Sequence, residues 1–355
     1  MAAHRALADR IERLAAQGPG VKAFREQVLA EIARVVPFDA HVWLLTDPVT
    51  RVGTSPLADV PMMPWSDLPR LGRLRYTTRV SRWADLMDEG RSVALLTEET
   101  DGELSRSALW DELLQGYGIV DVASMALWDR YGCWAWLDLW RCRPTTPFTA
   151  TEAATLRGGA GAITRGLRDA QARTFADDAE PLRLGGPAVV VLDTDLRVRS
   201  RTTWAQDALL RLNPPDEPMP PIPAAVYNVA AALVAEESGA PVGPPRSRTH
   251  LGAGRWVTLR AARIAPDEFR TEDGIVVTIE PSTADELREV LALAHGLSPR
   301  EREVLDALAT GADTAGIART LFLSEHTVND HVKAVLAKTG APHRQALLAR
   351  AAGVA

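Results

Sequence analysis

Cysteine, lysine and long apolar runs are all scarce in this chain. Its two cysteines, Cys133 and Cys142, flank a predicted strand, so their side chains lie at opposite ends of it and we expect no disulfide. No Cys/His set has the spacing of zinc ligands. No apolar run has the roughly 20 residues that cross a membrane, and the charged N-terminus lacks the apolar core of a signal peptide. We therefore expect a cytoplasmic protein with no metal and no membrane partner.

Signatures of nucleotide-binding and hydrolytic enzymes are missing as well. The chain has no G-x-x-x-x-G-K-[ST] phosphate loop and no G-x-S-x-G turn of the kind that presents a catalytic serine. The glycines at 158, 159 and 161 lie in a helical pattern rather than after a strand. That placement indicates close helix packing instead of a dinucleotide-binding loop. We expect no cofactor, no catalytic residues and no enzymatic activity.

Positive charge is weak in the C-terminal segment as well as in the whole chain. The chain has a formal net charge of −6 at pH 7, whereas residues 296–355 contain seven Lys/Arg and six Asp/Glu, a charge of +1. Two of the three lysines, Lys333 and Lys338, lie there in one predicted helix. A single copy of so weakly basic a segment makes few phosphate contacts, so specific DNA binding would require a dimer.

The C-terminal segment has clear signals for helix starts and stops. Ser298 is a natural N-cap, and Glu301 follows it at the spacing of a capping box. Gly311 suits the end of this first helix. A second helix is predicted to start at Asp313 or Thr314.

Two more helices follow a very short turn at Phe322 and Leu323. Ser324 is predicted to cap the third helix, which runs to about Lys338, and a fourth helix rich in Ala and Leu opens near His343. Two helices joined by so short a turn must cross steeply, as in a helix-turn-helix.

The third helix separates into faces when its residues are placed at about 100° per residue. The apolar side consists of Val328, Val332, Val335 and Leu336. The opposite, polar side consists of His326, Asn329, Asp330 and Lys333. A further polar stripe between them consists of Thr327, His331 and Lys338. Asn can read adenine, Asp can accept from cytosine N4, and Lys can reach guanine O6 or N7. Hydroxyl, imidazole and ammonium groups on the flank suit phosphates. An ordinary solvated amphipathic helix would show the same wheel.

The residues themselves resemble the LuxR-type helix-turn-helix of bacterial transcription regulators. The likeness covers about residues 296–355 and rests on the stretches Leu297–Leu305, Ile317-Ala318, Leu323-Ser324, Thr327-Val328 and His331-Val332. It implies that the third helix enters the major groove, with Asn329, Asp330 and Lys333 at base edges. It places Ser324, Thr327, His331 and Lys338 at the DNA backbone, to which we add His326. It implies a dimer contact on the last helix, which we assign to Arg344, Leu347 and Leu348.

Asp330 departs from the usual basic or neutral residue of that family. It can read cytosine, or it can pair with Lys333 three residues later. Both interpretations stay open on the sequence alone.

Residues 1–175 are predicted to form a sensor domain of mixed helix and strand. Two helices, a strand at His41–Leu45, a hairpin around Asp129–Gly132 and a long helix at Thr151–Arg173 give an order that resembles a GAF domain. Trp134, Trp136 and Trp140 share strand parity, which fits either an aromatic ligand pocket or, as we favour, a bulky core. The tryptophans chosen as candidate pocket residues are Trp65, Trp83, Trp110 and Trp136.

Residues 182–282 are predicted to form a second sensor domain. An acidic stretch at 176–181 marks its start, and two strands, helices at 204–212 and 224–237 and three further strands follow, an order that resembles a PAS domain. Thr283 then caps a connecting helix over 283–295. The expected fold is thus multidomain α+β: GAF-like and PAS-like α/β sandwiches followed by an all-α, four-helix LuxR-type domain at 296–355.

Three functions are compatible with this organisation. The first is a one-component, homodimeric regulator that binds double-stranded DNA and responds to a small-molecule effector in its N-terminal domains. In the second, those domains bind a partner protein instead, which the abundance of Trp and Arg would suit. The third, an enzyme joined to a DNA-binding module, lacks any supporting motif. Ligand control would require unequal affinity for two arrangements of the dimer.

Overall fold

The computed structural model describes residues 2–176, 185–212, 221–252, 254–264 and 273–353. They group into two compact units. The first comprises the described parts of Met1–Leu167, Arg183–Thr249 and Val257–Glu280, and the second those of Arg168–Leu182, His250–Trp256 and Pro281–Ala355. All but the first residue of the acidic stretch at 176–181 lies outside the described residues.

The first sheet has five antiparallel strands in the order β2-β1-β5-β4-β3. They are β1 (Ala40–Thr46), β2 (Gly53–Asp59), β3 (Val93–Leu95), β4 (Ile119–Asp129) and β5 (Gly132–Cys142). The predicted hairpin is confirmed, with Trp128 opposite Cys133. β5 is the central strand, and every residue between its two ends is buried. Because both of its faces are covered, the parity of its tryptophans does not separate a core face from a solvent face.

Helices precede, separate and follow these strands along the chain. They are α1 (Ala2–Ala16), α2 (Val21–Ala33), α3 (Leu68–Thr77), α4 (Trp83–Asp88), α5 (Leu96–Glu99), α6 (Ala108–Glu112) and α7 (Ala150–Arg173). The close packing predicted for the glycines of α7 is confirmed at Gly159, where a Cβ would lie 3.1 Å from Leu7 Cδ2. None of the described helices is long and apolar enough to cross a membrane.

The second sheet repeats the strand order of the first. Its order is β7-β6-β10-β9-β8. As in the first sheet, the strand that comes first in the chain is next to one edge, and the strand that comes last in the chain is in the centre. The elements are β6 (Ala188–Leu192), β7 (Val198–Arg201), α8 (Thr203–Leu212), α9 (Ala224–Glu237), β8 (Arg246–His250), β9 (Trp256–Ile264) and β10 (Gly274–Pro281). The predicted order of elements, two strands, then helices, then three strands, is confirmed.

A buried ion pair joins the two sheets within the first unit. Asp47, at the end of β1, accepts hydrogen bonds from Arg248 of β8: 2.6 Å from Nε, 2.8 Å from Nη2 and 2.9 Å from the backbone N–H. Both side chains are fully buried. The Asp47 carboxylate also accepts the backbone N–H groups of Val49 and Thr50. A buried charge is tolerated only when such bonds replace the lost water.

The second unit contains the C-terminal helices. They are α10 (Ala284–Ala294), α11 (Pro299–Ala309), α12 (Thr314–Leu321), α13 (Glu325–Thr339) and α14 (Arg344–Ala352). The predicted caps at Thr283, Ser298 and Ser324 are confirmed, the first two as full capping boxes. The connecting helix α10 packs against α14, so it is part of the same helical unit.

We predict that Asp47→Asn lowers the free energy of unfolding by about 3–5 kcal/mol, because it leaves the Arg248 charge buried without its counter-ion. Glu237→Gln is the control. It breaks the exposed Arg263–Glu237 pair and should cost at most about 1 kcal/mol. Urea unfolding measures both. Equal effects would show that the buried pair contributes no more than a surface pair.

The effect of Asp47→Asn should depend on pH. Burial raises the pKa of the Asp47 carboxyl, but the hydrogen bonds and charge of Arg248 outweigh burial and hold this pKa below its usual 3.8. A lowered folded-state pKa contributes stability that is present above 3.8 and is lost as the pH falls through the folded-state value. The difference in unfolding free energy between wild type and variant should therefore be constant near neutral pH and shrink in acid.

Candidate functional site

Local signals fix both ends of α13. The Ser324 hydroxyl accepts the Thr327 backbone N–H at 3.1 Å, which satisfies one of the free donors of the first turn. At the other end Gly340 has φ +63°, a conformation that favours glycine. The helix therefore begins and ends within two residues of its predicted limits.

The apolar side of α13 holds the helix in place. Val328 and Val332 are buried in a cluster with Val304 and Leu308 of α11 and Ile317 of α12. Each fully buried aliphatic side chain contributes about 1.5–3 kcal/mol. The apolar face predicted for α13 is confirmed: Val335 is also buried, and Leu336 packs partly buried against the cluster.

The opposite side of α13 is open to solvent. His326, Asn329, Asp330 and Lys333 are all exposed there. Asp330 lies between two basic groups, 3.7 Å from Lys333 Nζ and 3.5 Å from His326 Nε2. The pairing of Asp330 with Lys333, one of the two interpretations left open above, is thus present in the free protein.

Asn329 is held by a side chain from α14. Arg344 Nη2 donates to Asn329 Oδ1 at 3.1 Å and to Thr314 Oγ1 at 3.2 Å. An amide oxygen has a second lone pair and the Asn329 amide nitrogen remains a donor, so this contact orients the side chain without using all of its bonding capacity. Arg344 was predicted at a dimer contact, and no signal in the sequence indicated this internal role.

Lys338 contacts α11 in the same chain. Its Nζ lies 2.6 Å from Glu301 Oε2 and 3.3 Å from the Gly296 carbonyl oxygen. Burial raises the pKa of the Glu301 carboxyl, but the bonds from Lys338 and from the Ser298 backbone outweigh burial and lower that pKa overall. The side chain of Lys338 is 40% exposed. Its predicted contact with a DNA phosphate stays a prediction.

The remaining predicted residues differ in their accessibility. Ser324 is exposed, whereas Thr327 and His331 are half-buried on the flank of α13. On α14, Leu347 is fully buried within this chain and Leu348 packs partly buried against the cluster around Val328. The dimer contact assigned to these leucines stays a prediction.

Phe322, in the turn between α12 and α13, was not among the predicted site residues. It is 94% exposed, and its φ of +55° lies in the left-handed region. That conformation lets the next N–H, of Leu323, donate to the Ala318 carbonyl at 2.9 Å. A bulky aromatic residue is disfavoured both by the conformation and by the exposure. The sequence signal that could have indicated this exposed, left-handed residue is its position in the two-residue turn before the N-cap Ser324.

Two of the four tryptophans predicted at a pocket line one small cavity in the first unit. Trp83 and Trp136 stack with ring centroids 5.8 Å apart and planes 2° apart. Beside them Arg75 makes a two-pronged ion pair with Asp138, at 2.9 and 3.1 Å, and Trp83 Nε1 donates to the same carboxylate at 2.9 Å. The cavity has a volume of about 20 Å³, room for about one water molecule.

The other two predicted pocket tryptophans lie elsewhere. Trp65 is 52% exposed, and Trp110 packs at the edge of a separate apolar cluster with its Nε1 donating to the Ile119 carbonyl at 2.9 Å. Trp134 and Trp140 are buried. No group of three or more potential metal ligands occurs among the described residues.

Comparison with known proteins supports the interpretation of the C-terminal helices. Residues 295–351 match the family described as bacterial regulatory proteins, luxR family. The C-terminal segment is a LuxR-family domain. This chain is also 36% identical over 86 residues to an uncharacterised transcriptional regulatory protein, YxjL, of Bacillus subtilis and to a probable transcriptional regulatory protein, NarL, of Mycobacterium tuberculosis.

These matches are confined to part of each protein. The aligned stretch is 24% of this chain, 39% of YxjL and 40% of NarL, so the chain spans about two-fifths of the curated relatives' length. Among solved structures, SdiA in complex with octanoyl-rac-glycerol has a TM-score of 0.35 at 14% identity, covering 99% of this chain and 93% of that one. Escherichia coli SdiA in another crystal has a TM-score of 0.31 at 13% identity, with 99% and 97% covered.

We predict that Phe322→Asn in the LuxR-family domain raises the free energy of unfolding by about 1 kcal/mol. Asn tolerates the left-handed conformation better than Phe, and so exposed a side chain gives up little packing. Thermal unfolding of the full chain provides the measurement. Leu323→Asn is the control, and it should destabilise because Leu323 packs on the cluster around Val328. A lower melting temperature for Phe322→Asn would show that Phe322 makes a stabilising contact.

Proposed function

We propose that this chain is a transcription regulator that binds specific sequences of double-stranded DNA. The observation that carries the proposal is α13, which has one side packed into the helical cluster and an exposed opposite side with Asn329, Asp330 and Lys333. We assign base reading to these three residues. Ser324, His326, Thr327, His331 and Lys338 are assigned to the DNA backbone.

We further propose that it acts as a homodimer. The LuxR-family domain has a charge of only +1 over residues 296–355, and two copies double the number of phosphate contacts. A two-fold DNA site would match a two-fold protein. Arg344, Leu347 and Leu348 remain the proposed dimer contact on α14.

The region before residue 283 is proposed to be the sensor, with GAF-like and PAS-like halves at 1–175 and 182–282. Two sheets of the same strand order support an architecture of two related modules, and the cavity beside Trp83 and Trp136 supports a small-molecule effector. The alternative is a partner protein, which is favoured by one observation: Trp65 is about half exposed, and exposed tryptophans are common at the centre of protein interfaces.

Selection from random duplex DNA with full-length protein tests the main proposal. A sequence-specific dimer should enrich a two-fold site, and the enriched sequence names the targets. No enrichment at low or moderate salt would overturn the assignment of α13 as a recognition helix.

We predict that Lys333→Ala relaxes specificity at one base position and weakens binding by about 1–3 kcal/mol. Lys22→Ala is the matched control, because Lys22 is the one lysine outside the domain and is exposed beside Glu26. Binding titrations against a panel of single-base site variants give the profile. A uniform loss over all sites would assign Lys333 to a phosphate rather than to a base.

We predict that Asp330→Asn raises affinity for non-specific DNA. The substitution removes a negative charge next to the phosphates and releases Lys333 from the pair seen in the free protein. Affinity measured over a salt series should show a steeper dependence for the variant. If Asp330 instead reads cytosine N4, the variant will lose its preference at one C·G position, and the same site panel distinguishes the two results.

A further inference from the structure

A residue that lines the cavity beside Trp83 has a buried donor without a partner among the described residues. Arg82 is 9% exposed and lines the cavity. Its Nε donates to the Thr78 carbonyl at 2.9 Å, but its Nη1 is buried and has no hydrogen-bond partner among the described residues. An unpaired buried guanidinium nitrogen is costly and calls for an explanation in a native fold.

Two neighbouring hydroxyl groups also have hydrogen-bonding capacity that the described residues do not fill. Ser81, the preceding residue, has a buried Oγ without a partner among the described residues and a φ of +53°. Tyr76, which also lines the cavity, accepts the Gly53 N–H through its hydroxyl oxygen at 2.8 Å, so its own proton remains available to an acceptor. Strain and unpaired donors in one short segment are typical of a ligand-binding site.

The charged groups around the cavity favour an anionic ligand. Arg75 has its donors taken by Asp138, Ser124 and the Ser81 carbonyl, so it is part of the wall. Among the described residues, Arg82 pairs with the carboxylate of Asp85, whose Oδ2 lies 3.3 Å from Arg82 Nε. A guanidinium nitrogen without a partner suits a carboxylate, because a hydrogen bond between a cation and an anion is stronger than one between neutral groups.

The rest of the lining favours a compact apolar body. Trp83, Trp136, Val52, Ala84 and Val242 contribute carbon surface to the walls. The volume of about 20 Å³ has room for about one water molecule, so a larger ligand must enlarge the cavity. One wall comes from the first sheet and its helices, and Val242 and Gly243 of the segment before β8 form the other.

We propose that this cavity is the effector site and that its ligand is a small aromatic carboxylate. The carboxylate binds Arg82 Nη1 and the Tyr76 hydroxyl, and the ring lies against Trp83 and Trp136. This inference rests on the proposed sensor role of the region before residue 283. Because the site joins segments of both sheets, binding there changes the contact around Thr50 and Gly243, where a Cβ on Gly243 would lie 2.1 Å from the Thr50 carbonyl oxygen.

The test uses full-length protein with benzoate, phenylacetate and cinnamate as probes. Their primary amides have the same shape without the charge. Tryptophan fluorescence and the thermal unfolding midpoint report binding. We expect at least one acid to give a saturable change and its amide to bind at least about tenfold more weakly, since a charge-assisted hydrogen bond is lost.

Variants assign the binding to this site. Arg82→Gln should weaken acid binding at least about tenfold, and Arg82→Lys, which keeps the charge but not the fork, should lie between Arg82→Gln and wild type. Arg79→Gln is the control, because Arg79 is exposed in the same segment, and it should bind the acid like wild type. If Arg82→Gln does not fold, the comparison of acid with amide in the wild-type protein still decides the charge requirement.

Several results would overturn the proposal. They are the absence of a saturable response to every acid, equal binding of acid and amide, and unchanged binding by folded Arg82→Gln. Failure of the DNA-binding function is recognised separately. Wild-type protein that binds the acid but enriches no DNA site contradicts the proposed regulator, whereas protein that selects DNA but binds no acid contradicts only this effector site.

Discussion

The buried pair between Asp47 and Arg248 is the contact on which the arrangement of the first unit depends. It connects the end of β1 to β8, two segments 201 residues apart in the sequence. Two charges can be buried together because the carboxylate receives side-chain and backbone donors from both segments. The geometry leaves little freedom, since both side chains are fully buried. Thr50, three residues after Asp47, is thereby held against Arg246 and Gly243.

The buried pair between Asp47 and Arg248 also lies close in the sequence to residues that line the cavity. Thr50 and Val52 lie shortly after Asp47 in the sequence and line the cavity together with Val242 and Gly243. A change in the cavity therefore acts on the residues next to the buried pair. Coupling of this kind needs two arrangements with unequal ligand affinity.

Much of the fold could be predicted from the sequence where the signal is local. Capping residues fixed the starts of α10, α11 and α13, and the turn at Asp129–Gly132 fixed the hairpin of β4 and β5. β2 and β3 were not predicted, because Pro56 lies within the first and the second has only three residues. Their existence depends on pairing with β1 and β4, which a single sequence does not reveal.

The candidate sites show the same limit. The exposed and apolar faces of α13 follow from helical periodicity, and the structure confirms them. The bonds from Arg344 to Asn329 and from Lys338 to Glu301 join residues 15 and 37 positions apart, and no periodicity predicts them. Of the four tryptophans chosen for a pocket, Trp83 and Trp136 meet because β5 passes beside α4. Trp65 and Trp110 do not, because Trp65 is half exposed and Trp110 packs against a separate apolar cluster.

A comparison of two buried arginines separates structural from functional roles. Arg75 has its nitrogens satisfied by Asp138, Ser124 and the Ser81 carbonyl, so its burial is fully explained by the fold. Arg82 keeps a buried nitrogen without a partner among the described residues, and the fold alone does not explain it. Phe322 is the corresponding case in the LuxR-family domain, strained and exposed where Asn would be less costly. The unpartnered nitrogen of Arg82 is the cost that the proposed carboxylate would offset, whereas the cost of Phe322 has no contact in the described residues to offset it.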